Sequence, residues 1–283
     1  MADINYSIIN LDGISEVAVL LIEKISDAIG WIASKNTPEK EAIQTFIEDI
    51  KDSNFDPITK SALISNANTI VKDYCNQASI LQNALMSLRS DAKPGDVDND
   101  WISQFMNKAK LVSDPEFQII WGRILAEECN TPGYVPRSLL HVLEQMDRND
   151  AEKFTAICAL SVYTMEGNTK EYTPIIIDEH MGDYYSDKGV RLSDLIDLQA
   201  LGLINVDISA LSTGYTLKFD SSPVIIYYYD NTYVLPNGIK QFSVGNVIFT
   251  KIGQALCHAI EVDGHEDFLD KICSPFWEKD ISS

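Results

Sequence analysis

The spacing of apolar residues changes once along this chain, near Gly167, and this change constrains the fold class more than any other feature. Before it, apolar residues recur at intervals of three and four over long stretches, which is typical of amphipathic helices. After it, short runs rich in β-branched and aromatic residues, such as 173–177, 224–229 and 242–249, predict strands. The sequence therefore predicts an α+β protein, mainly helical in its N-terminal two-thirds, with a smaller α/β C-terminal domain.

The first helix is predicted over residues 14–32, where apolar side chains form one wide face. The candidate partner-binding residues on it are Leu21, Ile25, Ile29 and Trp31. Its polar face is acidic, whereas helices that lie on membranes usually carry Lys and Arg there. We therefore favour docking on the protein's own core or on a second subunit, with a membrane-disturbing helix as the alternative.

Two further helices are predicted from Thr37 to about Lys51 and from Asp56 to about Arg89, forming an antiparallel hairpin. The segment 91–99 then combines Pro-Gly with several Asp and Asn residues, which is typical of a linker. More helices are predicted at 100–111, 114–129, 136–146 and 150–163. The predicted domains are a helical N-terminal region at 1–93, a helical core at 94–148 and a winged-helix-like C-terminal domain at 149–283.

The best-defined helix start is a Ser-Asp-Pro-Glu sequence in the predicted core. Ser113 is the predicted N-cap, Pro115 suits the first helical position and Glu116 completes a capping box. The helix that follows places Trp121 and Glu128 on one apolar face. A carboxylate there is either a structural hydrogen-bond acceptor or a general acid with a raised pKa. The structural role is favoured, and a hydrolase using Glu128 is the alternative.

The C-terminal domain is predicted to resemble a winged helix with an extra β-hairpin. Its helix at 192–201 is followed by strands at 204–208 and 215–219 around a Ser-Thr-Gly turn. The extra hairpin pairs 224–229 with 233–235 and turns at Asp230-Asn231. Tyr227, Tyr229 and Tyr233 of this hairpin are candidate partner-binding residues, because alternate side chains of a strand face opposite sides.

The charge of the chain decides between classes of partner. With 42 acidic and 22 basic residues, the net charge is −20. Nucleic acids and anionic membranes are both bound through Lys and Arg, so neither is an expected partner. A winged helix commonly reads DNA through one helix, but Asp194 and Asp197 on the corresponding helix would repel phosphate. A packing or protein-docking role is therefore favoured for that helix.

No motif in the sequence indicates catalysis or a cofactor. The five cysteines are far apart and odd in number, which is typical of reduced thiols in a cytoplasmic protein. No secretory leader or uncharged membrane-spanning stretch is recognised, so the expected location is the cytoplasm. His141 and Glu144 lie three residues apart, but one such pair does not make a metal site. We predict no catalytic residue, no metal and no cofactor.

Several short motifs occur along the chain in an order that resembles that of a known protein family. They are Leu11-Asp12-Gly13-Ile14-Ser15, Asp100-Trp101, Val112-Ser113-Asp114, Trp121-x-Arg123-Ile124-Leu125-Ala126-x-Glu128, Pro132-Gly133, Asp150-Ala151, Leu201-Gly202-Leu203-Ile204 and Thr250-x-x-Gly253. In this order, the chain resembles DUF2806, a family of bacterial and phage-borne proteins of unknown function. The chain departs from the family pattern between Lys35 and Lys93, where family members carry a longer, charged, Ala-rich helix.

The resemblance implies a bacterial or mobile-element setting, but it assigns no catalytic residues. Proteins with an amphipathic leader and a sensor-like C-terminal domain often serve there in phage defence or its regulation. We expect a non-enzymatic cytoplasmic interaction or oligomerisation module that binds a protein partner, a second copy of itself, or both. The alternatives are a membrane-disturbing abortive-infection effector acting through helix 14–32, and the hydrolase.

Overall fold

The structure is a computed structural model that describes residues 15–31, 40–167, 169–177, 184–207, 214–219, 223–235, 238 and 241–277. Its helices are α1 (Glu16–Ile29), α2 (Lys40–Asp52), α3 (Pro57–Ser87), α4 (Asn99–Ala109), α5 (Pro115–Asn130), α6 (Arg137–Gln145), α7 (Arg148–Ala159), α8 (Tyr184–Asp187), α9 (Leu192–Ala200) and α10 (Lys251–Ala259). Its strands are β1 (Ser161–Glu166), β2 (Thr169–Pro174), β3 (Ile204–Val206), β4 (Tyr215–Lys218), β5 (Ile225–Tyr228), β6 (Asn231–Val234), β7 (Gln241–Gly245) and β8 (Val247–Phe249). The predicted α+β class is confirmed, because antiparallel strands follow a helical N-terminal part.

The described chain divides into two compact units, Met1–Leu140 and His141–Ser283. The predicted linker is packed within the first of them, where Pro94–Asp96 forms a short 3-10 turn. Pro94 and Val97 are buried there, and the Lys93 amide donates to a carbonyl of α5. Compactness and independent folding are different properties, so the predicted domain divisions stay predictions.

The core of the first unit is built on α3 and α5, which cross closely at Gly122. A Cβ atom at this glycine would lie 2.5 Å from the Cβ of Asn83, so no larger residue fits without moving a helix. Beside this crossing, the rings of Trp101, Phe105 and Trp121 pack in series, with centroids 5.1 and 5.2 Å apart. All three rings are buried, and they join α4 to α5.

The start of α5 differs by one residue from the prediction. Asp114 is the N-cap, and its carboxylate accepts hydrogen bonds from the amides of Glu116 and Phe117 at 2.9 and 3.4 Å. The prediction of Ser113 as the cap is therefore wrong. The reason is that Pro115 occupies the first helical position, where its fixed φ and missing N–H are tolerated, so the cap is the residue directly before it.

The second unit contains a four-stranded antiparallel sheet in the order β2-β1-β5-β6. The predicted helix 150–163 ends at Ala159, because Ser161–Glu166, with the β-formers Val162, Tyr163 and Thr164, pairs with β2 as strand β1. The predicted extra hairpin is confirmed as β5 and β6. Its two-residue turn is Tyr229-Asp230, one position earlier than predicted, and Tyr229 adopts a positive φ of 50°.

Strands β3 and β4 were predicted to pair with each other, and this prediction is wrong. β3 pairs with β8, and β4 pairs with β7, so the two strands lie in separate two-stranded ladders. Strands β1 and β2 lie between α7 and α8, and β4 to β7 lie between β3 and β8, so the winged-helix-like domain stays a prediction. Of the predicted Ser-Thr-Gly turn, only Gly214 lies among the described residues.

Candidate functional site

The predicted partner-binding helix lies against its own unit. In α1, Leu21 and Ile25 are fully buried, and the Lys24 ammonium donates a 3.1 Å hydrogen bond to the carbonyl of Gly95. The exposed apolar surface that α1 keeps includes Ile29, which is 37% exposed. A partner could therefore reach Leu21 and Ile25 only if α1 left this position. The ends of the predicted helix, at residues 14 and 32, lie outside the described residues.

Trp31 follows α1 and is also buried. Its ring stacks on that of Tyr74 in α3, with centroids 5.3 Å apart and planes 16° apart. This contact fixes the end of α1 to α3 and covers the aromatic residue that was expected to meet a partner. No helix in the described part of the chain is long and apolar enough to cross a membrane.

Glu128 closes the turn that follows α5. Its two carboxylate oxygens accept hydrogen bonds from the amides of Gly133 and Val135, each at 2.8 Å, and the residue is 2% exposed. Burial raises the pKa of Glu128 above its ordinary value, and the two amide donors oppose this rise. Since both oxygens are used by the backbone and solvent is excluded, the geometry offers a hydrolytic substrate no access to this carboxylate.

Metal ligands and nucleophilic thiols are the other groups that could carry chemistry. Among the described residues, no group of three or more His, Cys, Asp and Glu side chains is placed to hold a metal ion. All five cysteines are buried free thiols. Burial raises the pKa of Cys75, Cys129, Cys158 and Cys273, so these thiols hold their protons and are poor nucleophiles.

The helix that would read DNA in a winged helix carries its own charge compensation. The Lys153 ammonium lies 2.7 Å from a carboxylate oxygen of Asp197 and 3.6 Å from one of Asp194. These contacts join α7 to α9 and use the lysine that adjoins the helix. Asp194 and Asp197 thus help to hold α9 against α7. Because Lys153 is used in these ion pairs, it does not provide α9 with a positive charge for binding phosphate.

The first unit exposes a helical surface that the sequence analysis did not single out. We define the exposed helical arm as α2 together with residues 57–74 of α3. None of residues 57–74 is buried, whereas six residues between Cys75 and Ala84 are. Apolar side chains of the arm that remain exposed are Phe46, Ile58 and Ile70, at 51, 82 and 59%.

The arm is also unusual in its charge. Residues 61–71 contain no Asp, Glu, Lys or Arg, and seven of them are exposed: Ser61, Ala62, Ser65, Asn66, Asn68, Thr69 and Ile70. Exposed helical surfaces normally carry charged residues, and 23% of this chain is charged. Charged residues are depleted at the centres of protein interfaces. The absence of charged residues over 61–71 is therefore the feature of the sequence that indicates an interface here.

The second unit carries a row of tyrosines on one face of its four-stranded sheet. Tyr172, Tyr163 and Tyr227 stand directly opposite one another on β2, β1 and β5. The Tyr163 ring lies 5.5 Å from that of Tyr172 and 5.1 Å from that of Tyr227, with the latter pair nearly parallel. The opposite face holds the buried Val162 and Ile226, so the tyrosine row faces away from the sheet's apolar core.

A cavity of about 330 Å³ adjoins this row, and we call it the tyrosine cavity. Three tyrosines, one basic residue and two acidic residues are among those that line it: Tyr163, Tyr172, Tyr229, Lys170, Asp230 and Glu261. The Lys170 ammonium lies 4.6 Å from the centroid of the Tyr163 ring. A volume of this size suits a small ligand or one side chain of a partner.

The position of Tyr229 is set by a close approach to the backbone. A Cβ atom at Gly264 would lie 2.2 Å from the Tyr229 ring, so the missing side chain makes room for it. The ring packs edge-on against Tyr228 at 4.8 Å. Burial raises the pKa of the Tyr229 hydroxyl, which therefore remains protonated and leaves the ring neutral.

The structure brings only part of the predicted tyrosine set together. Tyr229 lines the tyrosine cavity, and Tyr227 stacks on a ring that lines it. Tyr233 instead contacts Trp277, with ring centroids 5.0 Å apart, and belongs to a different cluster. The sequence does not group Tyr163 with Tyr172, because its pattern predicts Tyr163 at the end of a helix and not on a strand beside Tyr172.

Comparison with known proteins gives one result. A family model described as "Protein of unknown function (DUF2806)" matches residues 69–273, so the chain belongs to this family. The chain shows no significant similarity to a curated protein or to a solved structure. Most of the exposed helical arm lies before the matched region, and the tyrosine cavity lies within it.

Proposed function

We propose that this DUF2806 protein is a non-catalytic interaction protein of the cytoplasm that self-associates through its exposed helical arm. The observation that carries the proposal is the run of residues 61–71, which is exposed, uncharged and part of a long helix. A second copy of the chain is the partner that this surface fits, for reasons of packing and of charge.

Packing gives the first reason. An antiparallel pair of helices buries one face between its members and leaves the others in water, whereas four helices enclose a common core. In the arm, Leu63, Ile64 and Val71 are only half-buried, and Phe46 and Ile58 are largely exposed. Two arms packed together would remove this apolar area from water, with each Å² stabilising the complex by about 25 cal/mol. The small Ser, Ala and Asn side chains between these residues allow a close approach of helices.

Charge gives the second reason. Two copies, each with a net charge of −20, repel one another, and this repulsion is weakest when they meet on surfaces without charged residues. The surface of residues 61–71 satisfies this condition, because no like charges would be buried or opposed there. A basic partner would instead favour an acidic docking surface, so the uncharged surface of residues 61–71 favours self-association over such a partner.

The test places charge on the arm without weakening its helix. Glu is a better helix former than Asn, so Asn66→Glu/Asn68→Glu should keep the fold while setting like charges against each other across the interface. We expect sedimentation equilibrium to show an oligomer for the wild type and at least about a tenfold larger dissociation constant for the Glu pair, equivalent to about 1.4 kcal/mol. Asn66→Gln/Asn68→Gln is the neutral control and should associate like the wild type. A monomeric wild type, or an oligomer indifferent to the Glu pair, would refute the proposal.

We further propose that this activity belongs to the defence of a bacterial cell against phage, a setting that rests on the family resemblance alone. If it is correct, expression of the protein should lower the plating efficiency of phage, and Asn66→Glu/Asn68→Glu should restore it. Equal plating efficiency with and without the protein, across a panel of phages, would remove this setting while leaving the self-association proposal intact.

A further inference from the structure

The tyrosine cavity has no part in the arm or in self-association, and its lining combines three tyrosines with basic and acidic residues. Three tyrosine rings surround a space of about 330 Å³, and Tyr163 is fixed by parallel stacking on Tyr227. Aromatic faces attract cations through the negative charge density of the ring.

The cavity already holds one cation of the protein itself. The Lys170 ammonium lies 4.6 Å from the Tyr163 centroid, within the distance at which such an interaction is favourable. Lys170 is exposed on β2, and its flexible aliphatic stem allows the ammonium to move into solvent. The contact shows that the Tyr163 ring can accept an ammonium group.

The charge of the lining favours a positive ligand over a negative one. The carboxylates of Asp230 and Glu261 outnumber the single ammonium of Lys170. An anionic ligand such as a phosphate would need several cations and would meet two carboxylates instead. A positive ligand would gain from both carboxylates and from the rings.

We propose that the tyrosine cavity binds a small organic cation, a primary ammonium on a short aliphatic chain. The ammonium replaces that of Lys170 at the Tyr163 ring, its N–H groups donate to Asp230 and Glu261, and the aliphatic chain lies against Tyr172 and Tyr229. The same chemistry is offered by a free amine and by a lysine side chain of a partner protein.

The first experiment uses three probes of matched shape. Binding of n-butylammonium, n-butanol and butyrate to the full-length protein is measured by saturation-transfer NMR and calorimetric titration. We expect millimolar or tighter binding of the ammonium, weaker binding of the alcohol and none of butyrate. Butanol binding as tightly as the ammonium, or no ammonium binding at all, would overturn the proposal.

Variants then locate the site. Asp230→Asn should weaken ammonium binding about two- to fivefold. The control is Asp263→Asn, which also removes one negative charge but at an exposed residue that does not line the cavity, and it should leave binding unchanged. Lys170→Met should tighten binding about two- to fivefold by freeing the Tyr163 ring, and Lys218→Met is the matched control. Weaker binding in Lys170→Met would contradict the proposal, because that is the behaviour of an anion site.

The source of the amine is distinguished by two further probes. A titration compares 1,4-diaminobutane with N-acetyl-lysine N-methylamide, which carries the same ammonium within a peptide-like group. Tighter binding of the diamine supports a free amine as ligand, and tighter binding of the capped lysine supports a lysine of a partner protein. Failure of both probes would overturn the proposal without affecting self-association through the arm.

Discussion

Glu128 illustrates how a buried charge is held by the backbone of its own chain. The side chain projects from α5 and meets the amides of Gly133 and Val135, which the following turn brings back to it. The sequence indicated a carboxylate on an apolar face and favoured a structural role. It could not identify the two donors, because they depend on the path of the turn after α5.

Replacing Glu128 with Gln should destabilise the protein. One of the two short hydrogen bonds is lost, since an amide nitrogen cannot accept from a backbone N–H, and the stranded donor remains buried. We expect the free energy of unfolding to fall by about 1–3 kcal/mol in urea denaturation at neutral pH. The neighbouring substitution Glu127→Gln serves as the control and should change stability far less.

The difference in stability between the wild type and Glu128→Gln should depend on pH. Because burial raises the pKa of Glu128 in the folded state above that of the unfolded chain, the folded state binds more protons between these two values. The stability that this glutamate contributes is therefore greatest below the unfolded pKa and declines as the pH rises through the folded pKa. The difference in the free energy of unfolding between the wild type and Glu128→Gln should therefore become smaller as the pH rises from the unfolded pKa of Glu128 to its folded pKa. A difference that grows over this pH range would contradict a raised pKa.

At the scale of elements, α3 and α5 of the first unit approach each other closely. Gly122 faces Asn83, the Ile80 carbonyl and the Ala84 amide, and a Cβ atom would lie within 3 Å of all three. The helix pairing is thus set by a missing side chain. From the sequence, a glycine inside a helix only lowers its propensity, and the surface that it faces cannot be identified.

Gly122→Ala should therefore destabilise the protein despite improving helix propensity. The gain in propensity is about 1 kcal/mol, whereas overpacking against a backbone costs typically 1–3 kcal/mol and is greater when helices must move apart. We expect a net loss on the order of 1–2 kcal/mol in the free energy of unfolding, measured by urea denaturation. Gly95→Ala, where a Cβ would meet nothing within 4 Å, is the control. A more stable Gly122→Ala protein would show that the helices separate at little cost.

The elements that the sequence predicts well are those with local signals. The bounds of α3 and α5 follow from Asp56-Pro57 and Asp114-Pro115 starts and from long apolar stripes, and the β5–β6 hairpin follows from its short turn. The pairing of β3 with β8 is different, because Val206 and Val247 are far apart in sequence and no local signal connects them. The tyrosine cavity depends on such distant pairing, and its residues therefore could not be grouped in advance.

At the scale of the whole molecule, charge and exposed apolar surface are distributed unevenly. The net charge of −20 acts against association everywhere except where charge is missing, as it is over residues 61–71. The arm containing them precedes most of the region shared with the DUF2806 family. We therefore expect the family region to carry the tyrosine cavity as one property and the arm to add self-association as another.

The most direct test of self-association is site-specific cross-linking at the arm. All five native cysteines are buried, so the thiol of Ser65→Cys would be the exposed target for a short bismaleimide. We predict a covalent dimer from Ser65→Cys and only monomer from the control Leu111→Cys, whose side chain is exposed outside the arm. Monomer alone from Ser65→Cys at concentrations where the wild type sediments as an oligomer, or equal dimer from both positions, would contradict an interface formed by the arm.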